Sequence, residues 1–381
     1  MKNASWRGAV FMALVHGTNA VYQGYISKFY QQRGARGQAL SWLLVSFPLM
    51  SVAGQPVWGL LADRTGKRRR TLRCVILLSI ASSALLYAQG GYAGLLAACC
   101  AFGFCYPAIQ PLGDSMILST QKRNYGRIRL TGSLAYAFCS LAAGRLLKDD
   151  YAAVPSVVMT GLVCLLAASF LVAGADAPAP PRNRVSWRDI GRIPRIGPLL
   201  ALFMLLQMTL GYFYSYYAVY FTALPGGSSG WLGVSLFAAT LSEIPFLLLG
   251  DRLFRRFGAG RLLLLAAASL AARFALLGFC RGRMGVLLSQ LLHGAGFIVM
   301  TFSMAKYISY AAPKELRATG QTMVSAAGGG FARTVGSLAG GLLSEKNGLR
   351  AGFVCMALVS LAALLFFLPV YRRLPPLNGK T

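Results

Sequence analysis

Long uncharged stretches set the rhythm of this chain. Residues 37–62 contain no Asp, Glu, Lys or Arg, and about 20 apolar residues carry a helix through the hydrocarbon of a bilayer. Residues 74–113 run uncharged for 40 positions, interrupted by Gln89-Gly90-Gly91-Tyr92. Residues 196–242 do so for 47, broken at Pro225-Gly226-Gly227-Ser228-Ser229-Gly230. Each run is too long for one crossing, and the glycines and proline at its break favour a turn, so each predicts a helical hairpin. With the runs near 8–27, 38–62, 130–147, 152–175, 259–279, 284–309, 318–343 and 351–371, the pattern predicts twelve spanning helices and an all-α integral membrane protein. The first run lacks a cleavage site of small residues and is read as a retained span.

Charge placement orients these spans. The chain carries 38 Lys and Arg against 10 Asp and Glu, a formal net charge of +28 that on its own would suit a nucleic-acid binder. With alternate loops assigned to opposite sides, however, 26 of the cations fall on the side of the N-terminus, nine on the other and three inside spans. That is the positive-inside bias of a multi-pass protein with both termini cytoplasmic. The expected partner is therefore a lipid bilayer, not nucleic acid. A hydrophobic share of 56% with only 13% charged residues agrees with this class.

Nothing in the residues suggests catalysis. The eight cysteines form no Cys-x-x-Cys pair that would suggest metal or redox work. No Gly-x-x-x-x-Gly-Lys-Ser/Thr loop is present for ATP hydrolysis. The expectation is no enzyme, no metal and no cofactor, with energy drawn from an ion gradient.

The only long polar stretch, 176–195, has four prolines and five arginines and predicts a cytoplasmic linker between bundles at 1–175 and 196–381. The halves repeat: Arg64-Thr65-Gly66 returns as Arg256-Phe257-Gly258, and Trp42-Leu43 as Trp231-Leu232, at shifts of 192 and 189. Parallel repeats are a carrier architecture in which each half can rock about a central cavity. The second copy has Arg255 where the first has Asp63, so a clamp built on that acid would be one-sided.

The segment Gly59-Leu60-Leu61-Ala62-Asp63-Arg64-Thr65-Gly66-Lys67-Arg68 resembles the loop signature that major facilitator superfamily transporters place between their second and third helices. The resemblance implies two six-helix bundles working by alternating access, with Gly59, Asp63, Arg64, Gly66, Lys67 and Arg68 as a gating loop. It also implies a monomer in a bacterial inner membrane that carries a small-molecule substrate.

Ionisable groups inside the spans are the sharpest candidates, since a charge near the bilayer centre costs several kcal/mol unless it is paired or hydrated. They are Asp114, Arg129, Glu243, Arg273, His293, Lys306 and Arg333. Each is either an interhelical tether or part of a transport site. Glu243 has no charged sequence neighbour between Arg195 and Asp251, and it reads as a lone acid facing a cavity. In the first span His16, Asn19 and Gln23 form a polar stripe beside Tyr22, Tyr25 and Phe29. Tyr212, Tyr214, Tyr216, Tyr217 and Tyr220 crowd the seventh span and suit either an interfacial belt or stacking on a flat solute.

Tyr125-Gly126-Arg127-Ile128-Arg129, continuing to Tyr136, resembles the start of the fifth helix in the branch that includes lactose permease. There the matching arginine holds the sugar and the matching aromatic stacks on it, which implies substrate roles for Arg129 and Tyr136. Pro111-Leu112-Gly113-Asp114 is similar to the end of that branch's fourth helix and implies that Asp114 partners Arg129. His293 and Arg273 match its proton-coupling pair, but the proton-carrying glutamate is Gly296 here. The stretch 312–321 is closer to the phenylpropionate permease-like relatives. The resulting expectation is proton-coupled import of a sugar, nucleoside or aromatic acid. Asn19, Gln23, Tyr22, Asp114, Arg129, Tyr136, Tyr216 and Glu243 would bind substrate, and Glu243, Arg273, His293 and Arg333 would couple it to protons. A drug or metabolite exporter of the same fold is the alternative.

Overall fold

A computed structural model describes residues 2–88, 90–121, 124–172, 191, 193–313 and 317–372. Most of the expected linker at 176–195 lies outside the described residues. The described chain is helical throughout. Its long helices are α1 (Lys2–Gln32), α2 (Gly37–Thr65), α3 (Arg68–Ala88), α4 (Tyr92–Cys105), α5 (Ile109–Gln121), α6 (Tyr125–Leu147) and α7 (Val154–Ser169). After the linker come α8 (Ile196–Thr222), α9 (Ser229–Phe279), α10 (Arg283–Gln290), α11 (Val299–Ala311), α12 (Arg317–Ser325) and α13 (Arg333–Arg372). Among the described residues, nine helical segments are long and apolar enough to cross a membrane.

Two of the nine are far too long for one crossing: Ser229–Phe279 has 51 residues and Met323–Tyr371 has 49. At ~1.5 Å per residue either would reach well beyond a hydrocarbon core of ~30 Å. Each breaks at a glycine with positive φ, Gly258 at 71° and Gly348 at 80°. Left-handed backbone of this kind costs a side-chain-bearing residue, so these positions divide the runs as the sequence pattern expects near 259 and 351. Gly258 is the repeat partner of Gly66, which ends α2 at φ 65°. Both turns use a glycine at positive φ, but with different ψ, 0° at Gly66 and 168° at Gly258.

The two expected hairpin breaks also hold. Helices end at Ala88 and Thr222 and restart at Tyr92 and Ser229, with Gly91 extended and Gly226 at φ 70°. One expected span differs: a 3-10 turn at Tyr106–Ala108, containing Pro107, divides α4 from α5, because proline lacks the N–H that a continuing α-helix needs.

The described residues form two compact units, one within Met1–Arg182 plus Ser228–Phe237, the other within Asn183–Gly227 plus Ala238–Thr381. In the first unit a loop residue caps the start of α9. Asp149 Oδ1 accepts from the Ser229 N–H at 2.6 Å, and Ser229 Oγ accepts from the Asp149 N–H at 3.0 Å. This satisfies a donor that every helix start leaves orphaned. Lys148 and Asp149 adopt φ of 46° and 65° in making that turn. The second unit is knitted by aromatic residues of α8. Tyr212 bonds Ser344 Oγ at 2.5 Å and the Leu349 carbonyl at 2.9 Å, and its ring lies 5.0 Å from Phe353.

Candidate functional site

Each unit contains its own group of embedded charges. In the second unit α9 passes close to the backbone that follows α10. A side chain at Gly294 would run into the Ser242 carbonyl, so only glycine lets the two segments touch. Ser242 Oγ accepts from the Gly294 N–H at 2.9 Å and donates to the Gln290 carbonyl at 3.2 Å. This contact brings the next residue on one segment to the preceding residue on the other. Glu243 Oε1 lies 3.1 Å from His293 Nε2. The expectation of a lone acid is therefore corrected: Glu243 has a titratable partner 50 residues away in sequence, which spacing along the chain cannot reveal.

Behind this pair sits Arg273, fully buried. Its Nη2 donates to Gln290 Oε1 at 2.8 Å and its guanidinium lies 4.0 Å from the centre of the Phe213 ring. Its Nε and Nη1 have no hydrogen-bond partner among the described residues, and neither has His293 Nδ1. Arg333 is half-buried. Its Nε donates to Gln207 Oε1 at 2.9 Å, and its guanidinium lies over Tyr214 at 4.8 Å and Phe297 at 5.7 Å. The His293 and Phe297 rings stack at 5.4 Å. Among the described residues Arg333 therefore bonds a neutral amide rather than Glu243.

The local backbone around these residues is unusual. π-helical turns occupy Gly294–Ile298, directly after His293, and Ala326–Ala332, directly before Arg333. Such turns leave the regular bonding ladder and are frequent at functional sites. Gly296, which stands where lactose permease-like transporters carry an acid, faces packing rather than space, since a Cβ there would lie 2.7 Å from the Leu270 side chain.

In the first unit His16 rests over Gly132, where any side chain would meet its imidazole ring, and it bonds Arg129 through Nε2. Asp114 accepts from the Tyr125 hydroxyl at 2.9 Å. Arg129 thus bonds His16 and Asp114 accepts from Tyr125, while the Arg129 charge still acts on the Asp114 carboxylate. Asp114 lies within α5 rather than at a helix end. Asn19 and Gln23 are half-buried one turn apart on α1, and Tyr136 is half-buried two turns after Arg129. Tyr22 is buried among Phe47, Phe102 and Tyr106, with centroids 4.9, 4.7 and 6.0 Å away. Tyr216 is buried against Tyr212 at 5.0 Å. These two tyrosines sit in aromatic packing within their own units.

Of the gating-loop residues, Gly59, Asp63 and Arg64 lie in the last turns of α2, Gly66 and Lys67 follow its end, and Arg68 opens α3. Arg68 Nη2 donates to Asp63 Oδ1 at 3.1 Å across the Gly66 turn. The second copy has a pair that sequence reasoning missed, Lys306 Nζ to Asp251 Oδ1 at 2.6 Å. Asp251 stands one helical turn before Arg255, so an acid shifted by four residues was the available signal. Gln207 and Gln290 were missed as well. Amides are costly to bury unbonded, and their presence in otherwise apolar runs was the clue.

Comparison with known proteins places these features. Residues 6–355 match the model described as the MFS_1 like family. Maltose permease of Geobacillus stearothermophilus is 29% identical over 353 residues, spanning 90% of this chain and 89% of that protein. A protein of Escherichia coli strain K12 named "Probable 3-phenylpropionic acid transporter" is 26% identical over 301 residues, spanning 77% and 78%. The crystal structure of a mutant of nucleoside transporter NupG superimposes with a TM-score of 0.86 at 14% identity, over 96% of this chain and 99% of that one. At that identity the likeness establishes the fold alone. The two sequence relatives are named as transporters, not enzymes.

Proposed function

Because the chain belongs to the MFS_1 like family of major facilitator transporters, we propose that it imports a small polar or aromatic organic solute together with a proton, by alternating access. The observation that carries this reading is the Glu243–His293 contact at 3.1 Å. It joins a carboxylate to an imidazole inside a membrane-embedded unit, so one proton can be held there, and His is the side chain suited to exchange it near neutral pH. Arg273 and Arg333 supply fixed positive charge beside the pair. A proton taken up from the outer side neutralises the acid, and its release inward resets the carrier. Energy comes from the proton gradient, with no bound cofactor.

Breaks at Gly258 and Gly348 in two of the nine apolar segments, together with α1, support twelve crossings in two six-helix bundles. The cation bias supports an inner-membrane protein with both termini in the cytoplasm. A monomer suffices for this scheme, since each embedded charge group is built within one chain.

The test is solute-driven proton movement in right-side-out vesicles. Addition of a transported solute should make the external buffer more alkaline, and Glu243→Gln should abolish that signal while solute exchange continues. Undiminished alkalinisation with Glu243→Gln would overturn the assignment.

A further inference from the structure

The last residue of α10, Gln290, is tied to both sides of the proposed proton site. It is fully buried, as are Ser289 beside it and Arg273 across from it. Its Nε2 donates to Ser289 Oγ at 3.0 Å and to the Val286 carbonyl at 3.4 Å. Those two acceptors, with Ser289 Oγ itself donating to the Val286 carbonyl at 2.6 Å, fix which way the amide faces. Its oxygen is left for Arg273, whose Nη2 donates to it at 2.8 Å. A flipped amide would set its NH2 group against the guanidinium, donor facing donor. The main-chain carbonyl of the same residue accepts from Ser242 Oγ at 3.2 Å, one position before Glu243, and His293 follows three positions later. One residue therefore holds the arginine and the backbone beside the acid, and it stands at the entry to the turn that carries the histidine.

We propose that Gln290 is a positioning residue for the proton: it holds the Arg273 charge at a set separation from the Glu243–His293 pair and so sets the pH at which that pair gives up its proton. The proposal rests on the transport reading above and adds to it a residue that does not itself carry the proton. The Arg273 charge acts on both members of the pair, and a nearby cation favours loss of a proton from an acid or an imidazolium alike. Arg273 has two further buried nitrogens without an acceptor among the described residues, so its fork is ready to turn to a stronger one. An amide oxygen binds the guanidinium without cancelling its charge. A carboxylate in place of the amide would cancel it, whereas a thioether would release the fork toward Glu243. The two replacements push the pair in opposite directions, which the loss of a residue that only fills space cannot do.

The test titrates the purified full chain in detergent by infrared spectroscopy, with no solute added. The protonated-carboxyl band that disappears in Glu243→Gln belongs to Glu243. Its midpoint is then read in Gln290→Glu and in Gln290→Met, each against the same variant carrying Glu243→Gln. Gln290→Glu should raise the midpoint by about one pH unit and Gln290→Met should lower it by about as much, the size expected when one charge is changed beside a titrating group. Gln290→Glu keeps an acceptor for Arg273 and decides the question alone if Gln290→Met does not fold. No rise in Gln290→Glu, or no fall in a folded Gln290→Met, would overturn the inference and leave the transport reading intact. If Glu243→Gln removes no band from the wild-type spectrum, the pair holds no proton and both readings fall.

Discussion

The two embedded charge groups solve the same physical problem in opposite ways. In the first unit, the acid and the cation each have a close partner: Tyr125 donates to Asp114 from 11 residues away, and Arg129 meets His16. In the second unit the acid is paired with a histidine, one arginine bonds only an amide through one nitrogen, and the other bonds an amide beside two aromatic rings. Buried donors without acceptors are rare in folded proteins because each forfeits the hydration it had in water. A site that keeps them, next to two π-helical turns, is arranged to change partners. The contrast teaches that repeated architecture does not impose repeated roles. One half presents charges already satisfied, and the other holds charge in reserve for a proton and a solute.

The sharpest way to break this contrast is to remove the neutral partner on each side. Gln290→Leu takes away the one acceptor that the buried Arg273 guanidinium has among the described residues. It should lower stability by about 3 kcal/mol, as a buried charge left uncompensated does. Tyr125→Phe removes one donor from the half-buried Asp114 and should cost about 1 kcal/mol. Denaturation midpoints in detergent give both values. Equal losses would show that the two clusters are equally satisfied and would end the comparison.

Smaller effects should follow at the ion pairs near the Gly66 and Gly258 turns. Asp63 and Arg68 pair across five residues, while Asp251 and Lys306 join segments 55 positions apart, with Asp251 61% exposed. A double-mutant cycle on Asp251→Asn and Lys306→Gln should give a coupling of about 0.2–1 kcal/mol that fades with added salt, as exposed ion pairs do. Coupling that survives high salt would assign this pair to a buried clamp instead.

The span pattern and the embedded charges were legible in the sequence because apolar length and charge cost act locally along the chain. Breaks at Gly258 and Gly348 were readable for the same reason, as turn-forming residues between apolar runs. The pairings were not. Whether Glu243 meets His293 depends on two segments touching at Gly294 and Ser242, and no periodicity within either segment encodes that register. Family likeness suggested Asp114 as the partner of Arg129, and the Arg129 charge does act on it, but the hydrogen bonds of the two to Tyr125 and His16 were not foreseen. The roles of Gln207 and Gln290 were hidden because uncharged side chains draw no attention in a search for embedded ions.

The central claim is that the second unit handles the proton and the first does not. It is tested most directly by measuring uphill solute accumulation under an imposed pH gradient in proteoliposomes carrying Glu243→Gln or Asp114→Asn. Glu243→Gln is expected to exchange solute without accumulating it, and Asp114→Asn to accumulate it with no more than a changed apparent affinity. Accumulation that survives Glu243→Gln but disappears in Asp114→Asn would contradict the account.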